Sequence, residues 1–201
     1  MRPTYLHLAA VVLLFGALAF ALAALLVYPA SGEPAPLASY LDAAMTAWVP
    51  PAAQPEGEDA AKARYAAIAQ DVAAVVSDPD EPPLFEGDND RHRTALLLLS
   101  IASYESSFFA RVDEGRCLPR ECDAGHAFGL FQVQPARGIA LDGDGWRYDS
   151  RGFHGRDMVR DRRIAIRVAL HLARGPHDPR WTGGDRTARA DTWAAAHPFA
   201  P

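Results

Sequence analysis

T-A-L-L-L-L-S-I-A-S-Y-E-S-S, residues 94–107, is the stretch from which a fold for this chain can be predicted. Asp88, Asn89 and Asp90 precede it, and short polar side chains of this kind favour the start of a helix. Because Leu96–Leu99 place leucine on every face of one turn, we expect a helix that is buried on all sides rather than an amphipathic one. The sequence therefore predicts a central helix in a mainly α-helical domain.

Glu105 lies on this helix in line with an apolar stripe. Helical spacing connects four side chains along that stripe: Leu97, Ile101, Glu105 and Phe108. Apolar surroundings and the partial negative charge at the carboxyl end of a helix both favour the protonated form of a glutamate, which suits a general acid. The spacing alone leaves open a second interpretation, a glutamate turned to solvent at a frayed helix end.

A second motif, A-F-G-L-F-Q-V-Q-P, follows at residues 127–135. E-S-S-F at residues 105–108, followed by G-L-F-Q-V, resembles the motif pair of the lysozyme-like superfamily, which contains the SLT-type lytic transglycosylases and the goose-type lysozymes. These enzymes cut the glycan strands of peptidoglycan. The resemblance covers about residues 96–135 and implies a lysozyme-like helical domain around the central helix.

The resemblance implies a role for each matched residue. Glu105 would be the single general acid/base, and Ser106 would support it. Four residues would form the cleft wall that binds an N-acetyl sugar: Gly129, Leu130, Phe131 and Gln132. In the implied mechanism, Glu105 protonates the oxygen of the MurNAc-β-1,4-GlcNAc bond and then takes a proton from the muramyl C6 hydroxyl, leaving a 1,6-anhydro end. We expect no cofactor.

Asp123 is the candidate for a second carboxylate because it lies shortly before the second motif. Hydrolysis of the same bond uses such a group to activate water or to attack the sugar, whereas a lytic transglycosylase needs neither. The alternative is a loop residue that caps backbone amides, and Asp113 and Glu114 are weaker candidates for the catalytic role. A lysozyme-type hydrolase and a non-catalytic glycan-binding or envelope scaffold protein are therefore the alternative functions.

The chain departs from the commoner transglycosylase pattern near its end. That pattern contains A-Y-N-x-G, whose tyrosine reaches the catalytic glutamate, and this sequence has no such motif. Tyr148 or Tyr104 is the candidate to replace that tyrosine. Tyr148 and Trp146 lie in a segment rich in turn formers and aromatics, which we interpret as a cleft rim that stacks on a sugar, against the alternative of simple packing.

Cys117 and Cys122 are the only cysteines. An even pair in an exported protein favours a disulfide, here one that closes a small loop. His126 extends the pattern to C-x4-C-x3-H, but a structural zinc site needs four ligands. The D-x-D-G at residues 142–145 lacks the later ligands of a calcium loop, notably the glutamate at the twelfth position. We therefore expect no metal.

The amino terminus contains an apolar run, Leu6–Tyr28, without a charged residue. As a helix it would be about 35 Å long, enough to cross a hydrocarbon core of about 30 Å. We interpret residues 1–30 as a membrane anchor with the rest of the chain outside the cytoplasm. A cleaved signal peptide is the alternative. Residues 31–36 are predicted as a linker and 37–201 as the catalytic domain.

Further helices are expected on the basis of apolar spacing. The first is marked by Leu37, Leu41, Met45 and Trp48, the second by Tyr65, Ile68, Val72 and Val76. A third runs from Asp157 to Arg174 with Ile164, Val168 and Leu172 inward, and a short one passes through Trp193 to His197.

The formal net charge of −5 offers no basic patch for nucleic acid. The expected partners are peptidoglycan glycan strands and, through the amino-terminal helix, a membrane. An unidentified envelope or phage machinery is a further candidate partner.

Overall fold

The regular structure of this protein is helical throughout the part that the computed structural model describes, residues 34–87, 90–118, 120, 122, 126–134, 155–174 and 184–199. Those residues form α1 Pro34–Trp48, α2 Glu58–Val76, α3 Asp90–Ser106, α4 Ala110–Asp113, α5 Gly155–Arg160, α6 Arg162–Arg174 and α7 Asp185–Ala196. A 3₁₀ turn at Pro51–Ala53 follows α1, and an isolated antiparallel bridge pairs Phe128 with Val133. The prediction of a mainly α-helical fold is confirmed for these residues.

Several predicted features lie outside the described residues. They are the helix at residues 1–30, residues 31–33 of the linker, the capping residues Asp88 and Asn89, the candidate carboxylate Asp123, and Trp146 and Tyr148 of the cleft rim. The remaining linker residues, 34–36, belong to α1. Among the helices that are described, none is both long and apolar enough to cross a membrane. The described residues belong to one compact unit, residues 33–201.

Helix α3 is buried on all sides, as its leucine run predicts. Every side chain from Thr94 to Ser103 is at most 6 % exposed. Helices α1, α2, α6 and α7 all pack against α3. Because each fully buried leucine contributes about 1.5–3 kcal/mol, this helix supplies a large part of the driving force for folding.

The polar residues of α3 connect it to α7. The Ser100 hydroxyl donates a hydrogen bond to the Arg186 carbonyl oxygen over 2.8 Å, and the Ser103 hydroxyl donates to the Ser100 carbonyl oxygen over 2.7 Å. The first of these bonds fixes the beginning of α7 beside the last two turns of α3. It therefore determines which α7 side chains lie near Glu105.

Helices α1 and α2 pack against each other and present the predicted apolar faces to the core. The residues of these faces that are buried are Leu37, Leu41, Met45, Tyr65, Ile68, Val72 and Val76. Trp48 is half-buried at the last residue of α1. The helix ends there because Pro50 and Pro51 lack the backbone N–H groups that would continue it.

The prediction of one helix from Asp157 to Arg174 is wrong, because α5 and α6 are separated at Asp161. The Asp161 carboxylate accepts a hydrogen bond from the Arg163 backbone N–H over 2.9 Å and so caps the start of α6. Ile164 and Leu172 are half-buried at the edge of the core. The buried face of α6 comprises Ala165, Ile166, Val168, Ala169, Leu170 and Ala173.

Candidate active site

Glu105 lies in the last turn of α3 with 25 % of its side chain exposed. Its carboxylate forms an ion pair with the Arg186 guanidinium in the first turn of α7. The Arg186 side chain is itself only 23 % exposed. Glu105 is thus accessible at the end of the central helix, but it faces a cation rather than the apolar surroundings that the sequence predicts.

Two arginines of α7 lie over the ring of Tyr104, the neighbour of Glu105. The Arg186 guanidinium carbon is 5.4 Å from the ring centroid, and that of Arg189 is 4.1 Å away. Arg189 also donates a hydrogen bond to the Ser103 hydroxyl over 2.6 Å. Cations over an aromatic face are attracted by its quadrupole. One carboxylate from α3 and two guanidinium groups from α7 therefore lie together at the end of α3.

Sequence reasoning missed both arginines. Arg186 lies 81 residues after Glu105, and no motif spacing connects the two. The one available signal was a pair of arginines three positions apart, Arg186 and Arg189, shortly before the helix predicted at Trp193 to His197, since residues at that spacing share a face where the chain is helical.

The chain reverses direction immediately after Glu105. Ser107 and Phe108 have φ angles of 49° and 54°, in the left-handed region that non-glycine residues rarely adopt. Ser106 is buried, and its hydroxyl donates to the Ala102 carbonyl oxygen over 2.9 Å and accepts from the Phe108 N–H over 3.2 Å. Strained residues of this kind cluster at functional sites. The Ser106 hydroxyl therefore stabilises the backbone turn that follows Glu105.

Gln54 and Tyr65 hold the turn at Ser107 and Phe108 in place through hydrogen bonds and ring packing. The Gln54 amide nitrogen donates to the Ser107 carbonyl oxygen over 3.0 Å and to the Tyr65 hydroxyl over 2.8 Å. The Tyr65 hydroxyl donates in turn to the Val49 carbonyl oxygen over 3.0 Å. Its ring packs edge-on against Phe108, with the centroids 5.4 Å apart. The connection between α1 and α2, together with Tyr65 of α2, thereby fixes the position of the end of α3.

The Tyr65→Phe variant should unfold more easily than the wild type by about 1–3 kcal/mol at pH 7, because the Gln54 amide and the Val49 carbonyl lose a buried partner. Burial raises the pKa of Tyr65, although the hydrogen bond from Gln54 lowers it in part. The stabilisation by this hydroxyl is therefore complete below the unfolded pKa of about 10 and is lost as the pH rises above it.

Urea unfolding at pH 7 and above pH 10 measures both effects. The difference between the wild type and Tyr65→Phe should shrink at the higher pH. Tyr104→Phe is the matched control, since Tyr104 is 43 % exposed and its replacement should leave stability nearly unchanged. A wild-type advantage that grows above pH 10 would contradict the raised pKa.

The second motif forms a tight turn from Phe128 to Val133. The two residues exchange backbone hydrogen bonds of 3.0 and 3.1 Å, and the Gln132 side-chain amide donates to the Gly129 carbonyl oxygen over 3.0 Å. Gly129 has a φ of 65°, and a Cβ there would lie 3.3 Å from the Met158 carbonyl oxygen. A side chain at this position would therefore strain the turn and crowd α5.

Leu130 and Phe131 are fully buried in the main core, which also contains Phe108. Gln132 is the half-exposed side chain of the turn. A sugar at this turn would meet Gln132 and backbone atoms, since the side chains of Leu130 and Phe131 face inward. The contact of these four residues with a glycan stays a prediction.

The predicted disulfide between Cys117 and Cys122 is present, with a Cα–Cα distance of 5.9 Å. Cys122 is buried in a small apolar cluster with Val112 and Ala127. The bond therefore closes a small loop between α4 and the second motif.

The weaker carboxylate candidates are both engaged in ion pairs. Asp113 is buried and contacts the Arg162 guanidinium over 2.7 Å, while Glu114 is exposed and pairs with Arg116. Burial lowers the pKa of Arg162, but hydrogen bonds and charges from Asp113 and Asp71 outweigh it and raise that pKa. Asp113 is thus a structural partner of α6. Within the described residues no group of His, Cys, Asp and Glu could hold a metal ion.

Comparison of the chain with protein-family models, with curated proteins and with solved structures finds no match.

Proposed function

We propose that this protein is a lytic transglycosylase of lysozyme-like fold that cleaves MurNAc-β-1,4-GlcNAc bonds in peptidoglycan. Glu105 is its general acid/base. The observation that carries the proposal is the position of Glu105: a partly exposed carboxylate at the end of a helix buried on all sides. It is followed at once by a strained and firmly held reversal of the chain.

The motif pair supports the choice of substrate. E-S-S-F lies at the end of α3, and G-L-F-Q-V forms a glycine-dependent turn whose Leu130 and Phe131 share a core with Phe108. Rigid placement of a catalytic group and its supporting turn is what a site needs to orient a substrate. The turn then presents Gln132 and backbone groups to an N-acetyl sugar.

The proposed reaction needs one carboxyl group. The Glu105 acid donates its proton to the glycosidic oxygen, the bond to muramyl C1 breaks, and GlcNAc leaves with that proton. The Glu105 carboxylate then takes the proton of the muramyl C6 hydroxyl, whose oxygen bonds to C1 and closes the 1,6-anhydro ring. The protonated Glu105 is restored, so no water is consumed.

Arg186 places a condition on this reaction. The carboxyl group that must reach the glycosidic oxygen is held by the Arg186 guanidinium in this structure. The ion pair must therefore open as the glycosidic oxygen arrives. The same ion pair favours the second candidate function, a non-catalytic glycan-binding protein in which Glu105 stays paired with Arg186.

Mass spectrometry of the fragments that the purified full-length protein releases from peptidoglycan tests the proposal. We expect fragments with 1,6-anhydro-muramyl ends. Reducing muramyl ends would mean that water attacks, which would make the protein a lysozyme-type hydrolase with Asp123 as the candidate activator. Release of no fragments, together with sedimentation of the protein with peptidoglycan, would support the binding function instead.

A further inference from the structure

A groove of about 440 Å³ lies beside the candidate active site, between α1, the end of α3 and α7. Its lining includes Trp48, Tyr104, Asp185, Arg189 and Trp193. This volume falls within the range of about 300–1,000 Å³ that is usual for small-molecule sites. Apart from Tyr104, a candidate to replace the tyrosine of the transglycosylase pattern, these side chains have no role in the reaction proposed above.

Three aromatic rings line the groove, those of Trp48, Tyr104 and Trp193, and His197, which also lines it, stacks on Trp193 with the centroids 3.8 Å apart. Trp48 and Trp193 meet edge to face with their centroids 6.0 Å apart. Tyr104 is one of two large apolar side chains that stand out as exposed among the described residues. Aromatic rings that line an open groove give apolar faces at little cost in conformational entropy, since each has only two χ angles. The C–H faces of a sugar ring stack on such surfaces.

Arg189 adds a positive charge to this aromatic surface. Its guanidinium lies 4.1 Å from the Tyr104 centroid and 5.8 Å from that of Trp48. Its contact with the Ser103 hydroxyl occupies one nitrogen, and no carboxylate of the described residues lies within ion-pair distance of it. A guanidinium has five N–H donors in a fork that matches a carboxylate. The groove therefore offers an anion site beside its aromatic rings.

Asp185 supplies the complementary group. It is the first residue of α7, one helical turn before Arg189, and it is exposed. Its carboxylate accepts hydrogen bonds and suits the hydroxyl groups of a sugar. A sugar ring with hydroxyl groups on one side and a carboxylate on the other would match Asp185 and Arg189.

We propose that the groove binds a sugar unit that carries a carboxylate, with the ring on the aromatic side chains and the carboxylate on Arg189. Arg186 contacts both Glu105 and the Tyr104 ring, so the groove adjoins the candidate active site. The choice of muramic acid as that sugar rests on the proposed function. Its carboxylate is either that of the lactyl group or that of a peptide attached to it.

Binding is measured with the full-length Glu105→Gln variant, which excludes turnover, by isothermal titration calorimetry. The ligands are the GlcNAc–MurNAc disaccharide, its lactyl methyl ester, the same disaccharide with its peptide, and neutral chitobiose. The disaccharide with a free carboxylate should bind about tenfold more tightly than the ester or chitobiose, a factor that corresponds to about 1.4 kcal/mol. Tighter binding of the peptide form identifies the peptide as the source of the carboxylate.

A second substitution, Arg189→Gln, should remove this preference, while Arg189→Lys should keep part of it because the charge remains. Arg163→Gln is the control, since Arg163 is an exposed arginine that pairs with Asp71 and does not line the groove. The proposal would be overturned if the Glu105→Gln protein, with Arg189 unchanged, bound the free-acid disaccharide and its lactyl methyl ester equally well. This test does not depend on whether the Arg189 variants fold.

The outcome is separable from that of the proposed function. If the wild type releases anhydro fragments but shows no preference for the acidic ligand, the groove proposal is wrong and the catalytic one stands. If the wild type releases nothing but the Arg189-dependent preference is found, the groove proposal stands and the catalytic one is wrong.

Discussion

The Glu105→Gln variant should cleave peptidoglycan at least about 10²–10⁴-fold more slowly than the wild type, because general acid–base catalysis by a positioned side chain contributes about this much. Glutamine keeps the size of the side chain and a hydrogen bond to Arg186, but it has no acidic proton to give and cannot take one back. The measurement is the initial rate at which soluble muropeptides appear from purified peptidoglycan.

Two comparisons make this result specific to the chemistry. Glu105 and Arg186 are each only about a quarter exposed, so Glu105→Gln leaves a partly buried guanidinium without its counter-ion and should cost more free energy of unfolding than the loss of an exposed ion pair, which costs about 1 kcal/mol at most. A thermal melt of the variant checks this. Glu58→Gln removes an exposed carboxylate that pairs with Lys62, and it should keep the wild-type rate. An unchanged rate for Glu105→Gln would overturn the proposed catalytic role.

The Phe108→Ala variant should lose about 3–5 kcal/mol of stability, the usual cost of truncating a fully buried phenylalanine. Its ring fills the space between the end of α3 and Tyr65, and the buried turn residues Leu130 and Phe131 belong to the same core. Because the chain reverses at Phe108, the cavity left by its ring would also loosen the position of Glu105. Urea unfolding gives the free energy, and the cleavage assay at a temperature where the variant is folded reports on the site.

Phe109→Ala is the matched control for this prediction. Phe109 is the next residue, but it is only half-buried and packs on the small cluster around Val112 rather than on the main core. Its replacement should cost clearly less stability than that of Phe108. Equal losses for the two variants would show that the Phe108 site collapses around the missing ring or that the main core is less tightly packed than described.

The sequence alone determined the parts of the fold that depend on local pattern. The leucine run of α3 indicated a helix buried on all faces, and the apolar spacing in α1 and α2 identified the side chains that enter the core. These predictions succeed because burial removes apolar area from water, and a helix repeats its faces at a fixed period. The disulfide was predicted on other grounds, from an even pair of cysteines in a chain expected to be exported.

The environment of Glu105 was decided by the tertiary structure. The helical spacing placed its carboxylate beside an apolar stripe, whereas the packing of α7 against α3 brings Arg186 to it from 81 residues away. The same packing places Arg189 over Tyr104 and forms the aromatic groove. Likewise, the burial of Leu130 and Phe131 in the core is decided by the tertiary structure. The physical reason is that local pattern sets which face of a helix is apolar, while the partners of its polar groups depend on which distant helix packs there and in what register.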